Sequence, residues 1–478
     1  MKGIRYMQFN SYEFILIFLP LLLAGYYLLN RLGGRWGRLF LGGMGAVFYV
    51  YYGLSSAAVL LGSIVVNYAA AALIARREKH VRLIFALDIA ANIAPLLYFK
   101  YFNFLLGAIG SPRRFDIFLP LGISFFTFQQ IAYVAHVRKS GKNESLGDYL
   151  LYVLYFPKLI MGPITEPDAL IPQFHDESCL RPNAHNLACG LKLFSFGLFK
   201  KLLLADTFAV AVNWCFADPS AATSMELFLG MLAYTFEIYF DFSGYSDMAV
   251  GVSQMLNIDL PINFNSPYRA LSVRDFWKRW HISLTSFLTR HLYIPLGGSR
   301  MGLARTCVNM MIVFLVSGIW HGANWTFLLW GLLHGLLCVG ERVFEKSRRR
   351  LNDTAGWLFT FLCVSALWLL FRSDSVGQWS WMLLRMLKLE STAVSAGFLE
   401  CFALQEAAVL VPLLHLTPIR GAMALLFYAA AFLLCLIPEN NYRQKDRLSA
   451  ANAVLAALAL FLAFLHLGGE SVFVYFNF

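Results

Sequence analysis

Stretches of roughly 18 or more mostly apolar residues recur along this chain, and that is the length a helix needs to cross a hydrocarbon layer about 30 Å thick. They run from Phe14–Leu29 near the start to a last segment at residues 452–467. Composition agrees: the chain is 59% hydrophobic and only 14% charged, against about a quarter charged in an ordinary soluble domain. No soluble core could absorb that excess. The expected fold is an all-α polytopic membrane protein of about 11–14 transmembrane or re-entrant helices around a central channel, read as one domain over residues 1–478.

The net charge of +11 does not indicate nucleic acid. Lys and Arg fall in short clusters between apolar runs, where they anchor loops to anionic headgroups. RLGGRWGR (31–38), RREKHVR (76–82), VRKSGK (137–142), RVFEKSRRR (342–350) and NYRQKDR (441–447) are the strongest such clusters. Putting them on the cytoplasmic side places both termini outside. The chain is expected to cross its membrane many times. The first apolar run, with no small-residue cleavage site after it, is expected to stay as a helix. Eight cysteines are scattered singly with no CxxC pair, so neither a zinc site nor a disulfide framework is expected.

Helices are expected at about 13–30, 39–54, 56–75, 83–106, 117–136, 186–204, 226–250, 356–371, 405–437 with breaks at Pro412 and Pro418, and 452–467. LYVLYFPKLIMGPI, interrupted by Pro157 and Pro163, reads as a re-entrant or tilted segment, because broken backbone at membrane depth is tolerated only where protein or a cavity covers it.

Three constellations interrupt the apolar pattern. Read as one helix at 100° per residue, 273–291 places Val273, Trp277, Trp280, His281, Leu284, Leu288 and His291 on one stripe. The other face is polar, so the segment is amphipathic with a histidine on its apolar side. That histidine can be a structural cap as readily as a reactive group. His321 lies between two apolar runs, Met310–Ile319 and Trp325–Leu337. Water is largely excluded there, so the ring is expected to be neutral and able to accept a proton. If the helix continues through it, Ser317 and Asn324 flank it by a turn on either side, and Gly318 and Gly322 allow close approach of a substrate or backbone. His334 follows 13 residues later, about 140° around a straight helix, and is not expected to act with it. In EIYFDFSGYSDMAVG (237–251), Glu237, Asp241 and Asp247 interrupt an apolar helix. A buried ion pair is the plainer reading, with Arg269, Arg274 and Arg279 as candidate partners.

FDFSGYSDMAVG, NFNSPYRALSVRDFWKRWHISLTSFL, YIPLGG and WHGANWTFLLWGLLHG resemble the membrane-bound O-acyltransferase family, and within it the bacterial branch of the alginate O-acetyltransferase membrane component. The likeness extends to FNSYEFILIFLPLLL, LPLGISFFTFQQIAYV, FPKLIMGPI and the terminal FVYFNF, covering nearly the whole chain. The resemblance implies an enzyme that passes an acyl group, acetyl first among candidates, from a cytoplasmic thioester such as acetyl-coenzyme A across the membrane to an extracytoplasmic polysaccharide such as alginate. No bound cofactor or metal is implied. An extracytoplasmic acceptor protein and an acyl carrier protein are the implied partners, besides the lipid membrane. D-alanyl or other acyl transfer to a cell-wall polymer is the nearest alternative. His321 matches the family's catalytic histidine and His281 the second histidine of its motif. Asn324, Trp320, Trp277, Asp241 and Ser317 are the candidate substrate-binding or supporting residues. The aromatic tail Phe473–Phe478 reads either as an interfacial anchor or as a docking strand for an external partner. A transporter would predict inverted repeats, which the sequence does not display, and a silent export scaffold would keep the fold without the chemistry.

Overall fold

The computed structural model describes residues 7–76, 80–345, 352–404, 421–437, 439–468, 471, 473 and 474. Among them every regular element is a helix. Six helices are long and apolar enough to cross a membrane: Glu13–Asn30, Leu54–Ala75, Val81–Ala108, Gly302–His321, Trp325–Val343 and Asp353–Arg372. Shorter apolar helices at Ala422–Leu436 and Ala450–Leu465 stand beside them. The break expected at Pro412 and Pro418 lies outside the described residues.

The organising element is Ser224–Met255, a helix of 32 residues buried along almost its whole length. Its start follows from sequence: Thr223 accepts from the Glu226 backbone N–H while the Glu226 side chain accepts from that of Thr223, satisfying two donors that a helix N-terminus leaves open. Against it packs Ala184–Phe199, and glycine sets the spacing. A β-carbon on Gly190 would lie 2.5 Å from the Gly251 carbonyl oxygen, and one on Gly197 would lie 2.7 Å from that of Gly244. Two glycines seven residues apart on each helix therefore bring the backbones together, the device that replaces hydrophobic driving force between helices in lipid.

Several spans are broken, and each break has a cause. Pro95 removes a backbone donor near the end of Val81–Leu96, and a wider π-turn follows at Leu97–Tyr101 before the helix resumes at Phe102. The helix Ala184–Phe199 passes through a second π-turn, Lys200–Ala205, into a separate helix Asp206–Ala217 that apolarity alone does not separate. The segment expected to be re-entrant consists of Leu146–Leu154 and the single turn Phe156–Leu159, with Tyr155, Phe156 and Leu159 fully buried. Protein covers this irregular backbone, as the reading required.

The tail expectation is corrected for the part that is described. Phe473 is fully buried, its ring centroid 5.1 Å from that of Tyr245, and the Val474 backbone N–H donates to Asp241 at 3.1 Å. Residues 475–478 lie outside the described residues. Phe473 is therefore part of the core, and Phe9 stacks on the same Tyr245 ring at 4.9 Å.

The glycine seam makes a direct prediction. Gly244→Leu drives a side chain into the Gly197 backbone, and overpacking of this kind costs roughly 1–3 kcal/mol or more. Size-exclusion profiles and thermal melts in detergent should show loss of the monodisperse species, whereas Gly43→Leu, where a β-carbon meets nothing within 4 Å, should leave it intact.

Candidate active site

His321 is the last residue of the helix Gly302–His321, and Gly322 leaves it in an extended conformation. The chain turns back at once: Asn324 caps the next helix, Trp325–Val343, by accepting from the Thr326 N–H. The tight hairpin needs glycine. A β-carbon on Gly318 would lie 2.4 Å from the Phe327 carbonyl oxygen, and one on Gly322 would lie 2.1 Å from the Phe327 ring. Both glycines admit protein here, the backbone at Gly318 and a side chain at Gly322.

A helix ending among apolar side chains leaves its last carbonyls without partners. Lys100 and Tyr101 supply them. The Lys100 ammonium donates to the carbonyls of Trp320 at 2.8 Å and His321 at 2.9 Å, and the Tyr101 hydroxyl donates to that of Ile319. Positive charge at a helix C-terminus is favoured by the helix dipole. Neither residue figured among the sequence candidates. The available signal was a lone lysine within the aromatic run LYFKYF, since an ionisable group inside an apolar segment is a functional candidate by default.

The His321 ring is enclosed by Trp320, Trp330 and Phe371, with centroids 4.9, 5.1 and 5.1 Å away. Only 4% of the residue is exposed. It borders a pocket of about 110 Å³ with Lys100, Ser124, Phe125, Met161 and Trp320. Phe371 also lines a larger, polar cavity of about 630 Å³, which Glu237, Asn324, Arg372 and Asp374 border. His321 thus has a pocket beside it and a second cavity behind one phenyl ring.

His281 also neighbours Trp320, whose ring centroid lies 6.2 Å from it, with Phe242 at 4.7 Å. The single helix expected over 273–291 is corrected. Val273–Arg279 ends, His281 adopts the left-handed conformation (φ 45°, ψ 53°), and a new helix runs Ile282–Leu288. The kink is fixed by neighbouring backbone: Asn265 N–H donates to the Arg279 carbonyl and Ile282 N–H to that of Asn263. The apolar stripe from Val273 to Leu288 is nevertheless buried, because the two short helices present the same side inward. Ser283, which stands off that stripe, is buried as well and donates to Asn263.

The remaining candidates divide. Trp320 borders the His321 pocket, and Ser317 is buried one turn before His321 on its helix. Asn324 does not continue the helix beside the ring. Its amide donates to the Asp374 carbonyl at 3.0 Å, and it borders the polar cavity. Trp277 lies beyond Trp330, at 5.5 Å, and its indole N–H donates to Nδ1 of His334 at 3.2 Å. His334 in turn packs 4.7 Å from Trp330, the ring that also lies against His321. Asp241 is paired with Lys201 at 2.8 Å, and Lys201 also meets Asp206 at 2.7 Å. Asp247 pairs with Lys200 at 2.7 Å. The expected arginine partners are thereby replaced by two consecutive lysines on a π-turn, and Arg279 instead pairs with Asp275.

Comparison with known proteins places the chain. The model of the membrane-bound O-acyltransferase family matches residues 138–371. The chain is 34% identical to the peptidoglycan O-acetyltransferase of Helicobacter pylori over 98% of its own length and 97% of that protein. It is 36% identical to the probable alginate O-acetylase AlgI of Pseudomonas putida, covering 77% of this chain and 78% of the relative. To the teichoic acid D-alanyltransferase of Bacillus subtilis it is 26% identical, over 58% of this chain and 72% of the relative. The chain belongs to the membrane-bound O-acyltransferase family. It is a multi-pass membrane acyltransferase.

Lys100 generates a prediction that separates support from chemistry. Lys100→Met leaves the Trp320 and His321 carbonyls without this donor, and hydrogen bonds to charged groups contribute about 1.5–3 kcal/mol. The variant should melt earlier in detergent and lose acyl transfer, while Lys100→Arg, which retains a cationic donor, should recover a measurable part of both.

Proposed function

We propose that this enzyme transfers an acetyl group from a cytoplasmic thioester, acetyl-coenzyme A or an acylated carrier protein, to hydroxyl groups of an extracytoplasmic polysaccharide, with His321 as general base and a partner protein outside the membrane completing the delivery. The observation that carries the reading is the placement of His321: a buried imidazole at a helix end fixed by Lys100, between a small pocket and a larger polar cavity. The basic loops, taken as cytoplasmic in an inner membrane, put the turn at 322–324 on the side away from the cytoplasm.

In this reading the neutral imidazole takes the proton of the acceptor hydroxyl as its oxygen attacks the thioester carbonyl. The carbon–sulfur bond then breaks, the ester remains on the acceptor, and the proton passes from the imidazolium to the departing thiolate. A thioester is already activated, so the protein's task is a base, orientation and exclusion of water. His281, which shares Trp320 as a neighbour with His321, orients the donor or hydrogen-bonds the leaving sulfur. Trp320 and Ser317 shape the His321 side of the site. Asn324 belongs to the polar cavity, whose Glu237, Arg372 and Asp374 suit a hydroxylated polymer. Asp241 supports the core through Lys201, and Trp277 supports it through His334.

Cell-wall glycan is favoured over alginate as acceptor, because the likeness to the peptidoglycan O-acetyltransferase runs the full length of the chain while that to the alginate O-acetylase covers 77% of it. The test is transfer of label from acetyl thioester to envelope glycan in membranes, followed by release of base-labile acetate from purified peptidoglycan. General-base catalysis is worth about 10²–10⁴ in rate. His321→Ala at equal protein level should lower transfer by at least that factor, and His281→Ala by less. Undiminished labelling in His321→Ala would remove this residue from the mechanism, and label confined to an exopolysaccharide would move the acceptor back to an alginate-like polymer.

A further inference from the structure

Away from His321, three side chains of different kinds converge at the start of the helix Ala184–Phe199. His185 and Cys189 stand one turn apart on that helix, and Asp446 arrives from the loop that precedes Ala450–Leu465. His185 Nε2 lies 3.3 Å from Asp446 Oδ1, Cys189 Sγ lies 3.5 Å from His185 Nε2, and Cys189 Sγ lies 3.8 Å from Asp446 Oδ1.

Those separations carry chemical information. Tetrahedral zinc with Zn–S of about 2.3 Å and Zn–N or Zn–O of about 2.0–2.1 Å holds its ligand atoms about 3.3–3.6 Å apart. All three edges here fall within ~0.3 Å of that range. Nitrogen, thiolate sulfur and carboxylate oxygen form a donor set suited to zinc, and the i, i+4 spacing presents two of them from one rigid face.

Positive charge nearby would oppose a cation, and three basic groups of this region have hydrogen-bond or ion-pair partners outside the triad. Lys192 donates to the carbonyls of Gln444 and Arg447. Lys445 is held by Gln254 and Asp259. Arg447 pairs with Glu439 at 3.2 Å. The same contacts fix the loop that carries Asp446, so the third donor is held in register with the helix. His185 and Asp446 are exposed while Cys189 is buried, which leaves the fourth position open to solvent.

We propose that His185, Cys189 and Asp446 form a zinc site that staples the loop 439–449 to the helix Ala184–Phe199, with water as fourth ligand. On binding, the Cys189 thiol gives its proton to solvent and the thiolate coordinates the metal. The site is structural and independent of the acyl-transfer reading. By the charge pattern of the loops it faces the cytoplasm.

The experiment uses the full chain in detergent, stripped with chelator and reloaded with Zn²⁺ or Co²⁺. Elemental analysis should give one zinc per chain. The cobalt form should show a thiolate-to-metal charge-transfer band in the near ultraviolet and the visible absorption of tetrahedral cobalt. Cys189→Ser should abolish the charge-transfer band, and Asp446→Asn and His185→Gln should each weaken zinc binding by at least about tenfold, the lower range seen when a residue that merely hydrogen-bonds a metal ligand is changed. Added zinc should raise the melting temperature of wild type but not of Cys189→Ser. Wild type retaining no more zinc than Cys189→Ser, or a cobalt form without the thiolate band, would overturn the proposal. Because the cobalt spectrum is read on wild type, it decides the matter even if a variant fails to fold.

Discussion

A helix that stops inside an apolar layer must find donors for its last carbonyls, since no water is there to supply them. The helix ending at His321 meets this constraint with Lys100 and Tyr101, residues from a span more than two hundred positions earlier in the chain. The rest of the site depends on that arrangement. It sets where the imidazole stands, allows the chain to reverse at Gly322, and brings the Trp325–Val343 helix back against Gly318. The π-turn after Pro95 belongs to the same solution, because it lies where Lys100 must point toward the neighbouring helix.

The buried charges follow a related logic. Lys200 and Lys201 are adjacent in sequence, and the π-turn that contains them lets one meet Asp247 and the other Asp241 and Asp206. An ion removed from water is tolerated when its partners are close and its other hydrogen-bonding capacity is used. Asp241 meets that condition through Lys201 and through the Val474 N–H. The final residues described are thereby tied to the centre of the molecule, next to the glycine seam on which the long helix packs.

How much of this was readable beforehand depended on whether the signal was local. Apolar length, basic loops and the motifs around His281 and His321 are local, and they point to the helical membrane class and the family. The capping box at Thr223 and the covered re-entrant turn near Pro157 are likewise encoded in a few neighbouring residues. Pairings across the bundle are not. The glycines at 190, 197, 244 and 251 are visible in sequence, yet nothing in one chain says which helices face each other. For the same reason sequence proximity favours the arginines at 269, 274 and 279 over Lys200 and Lys201, which hold the carboxylates, and says nothing of what Lys100 meets. The kink at His281 failed differently: the apolar period through 273–291 survives the break, because two short helices with a left-handed residue between them keep the stripe on one side.

That left-handed residue also bears on how substitutions would be understood. An L-residue in this conformation carries a local penalty of roughly 1–2 kcal/mol, which asparagine relieves in part and alanine does not. At position 281 the alanine variant therefore combines two losses, the imidazole and a backbone preference, whereas asparagine keeps the turn and removes only the ring. Position 321, in ordinary helical geometry, has no such ambiguity. Equal defects from the two alanine variants would not imply equal roles, and asparagine at 281 is the variant that reports on the ring alone.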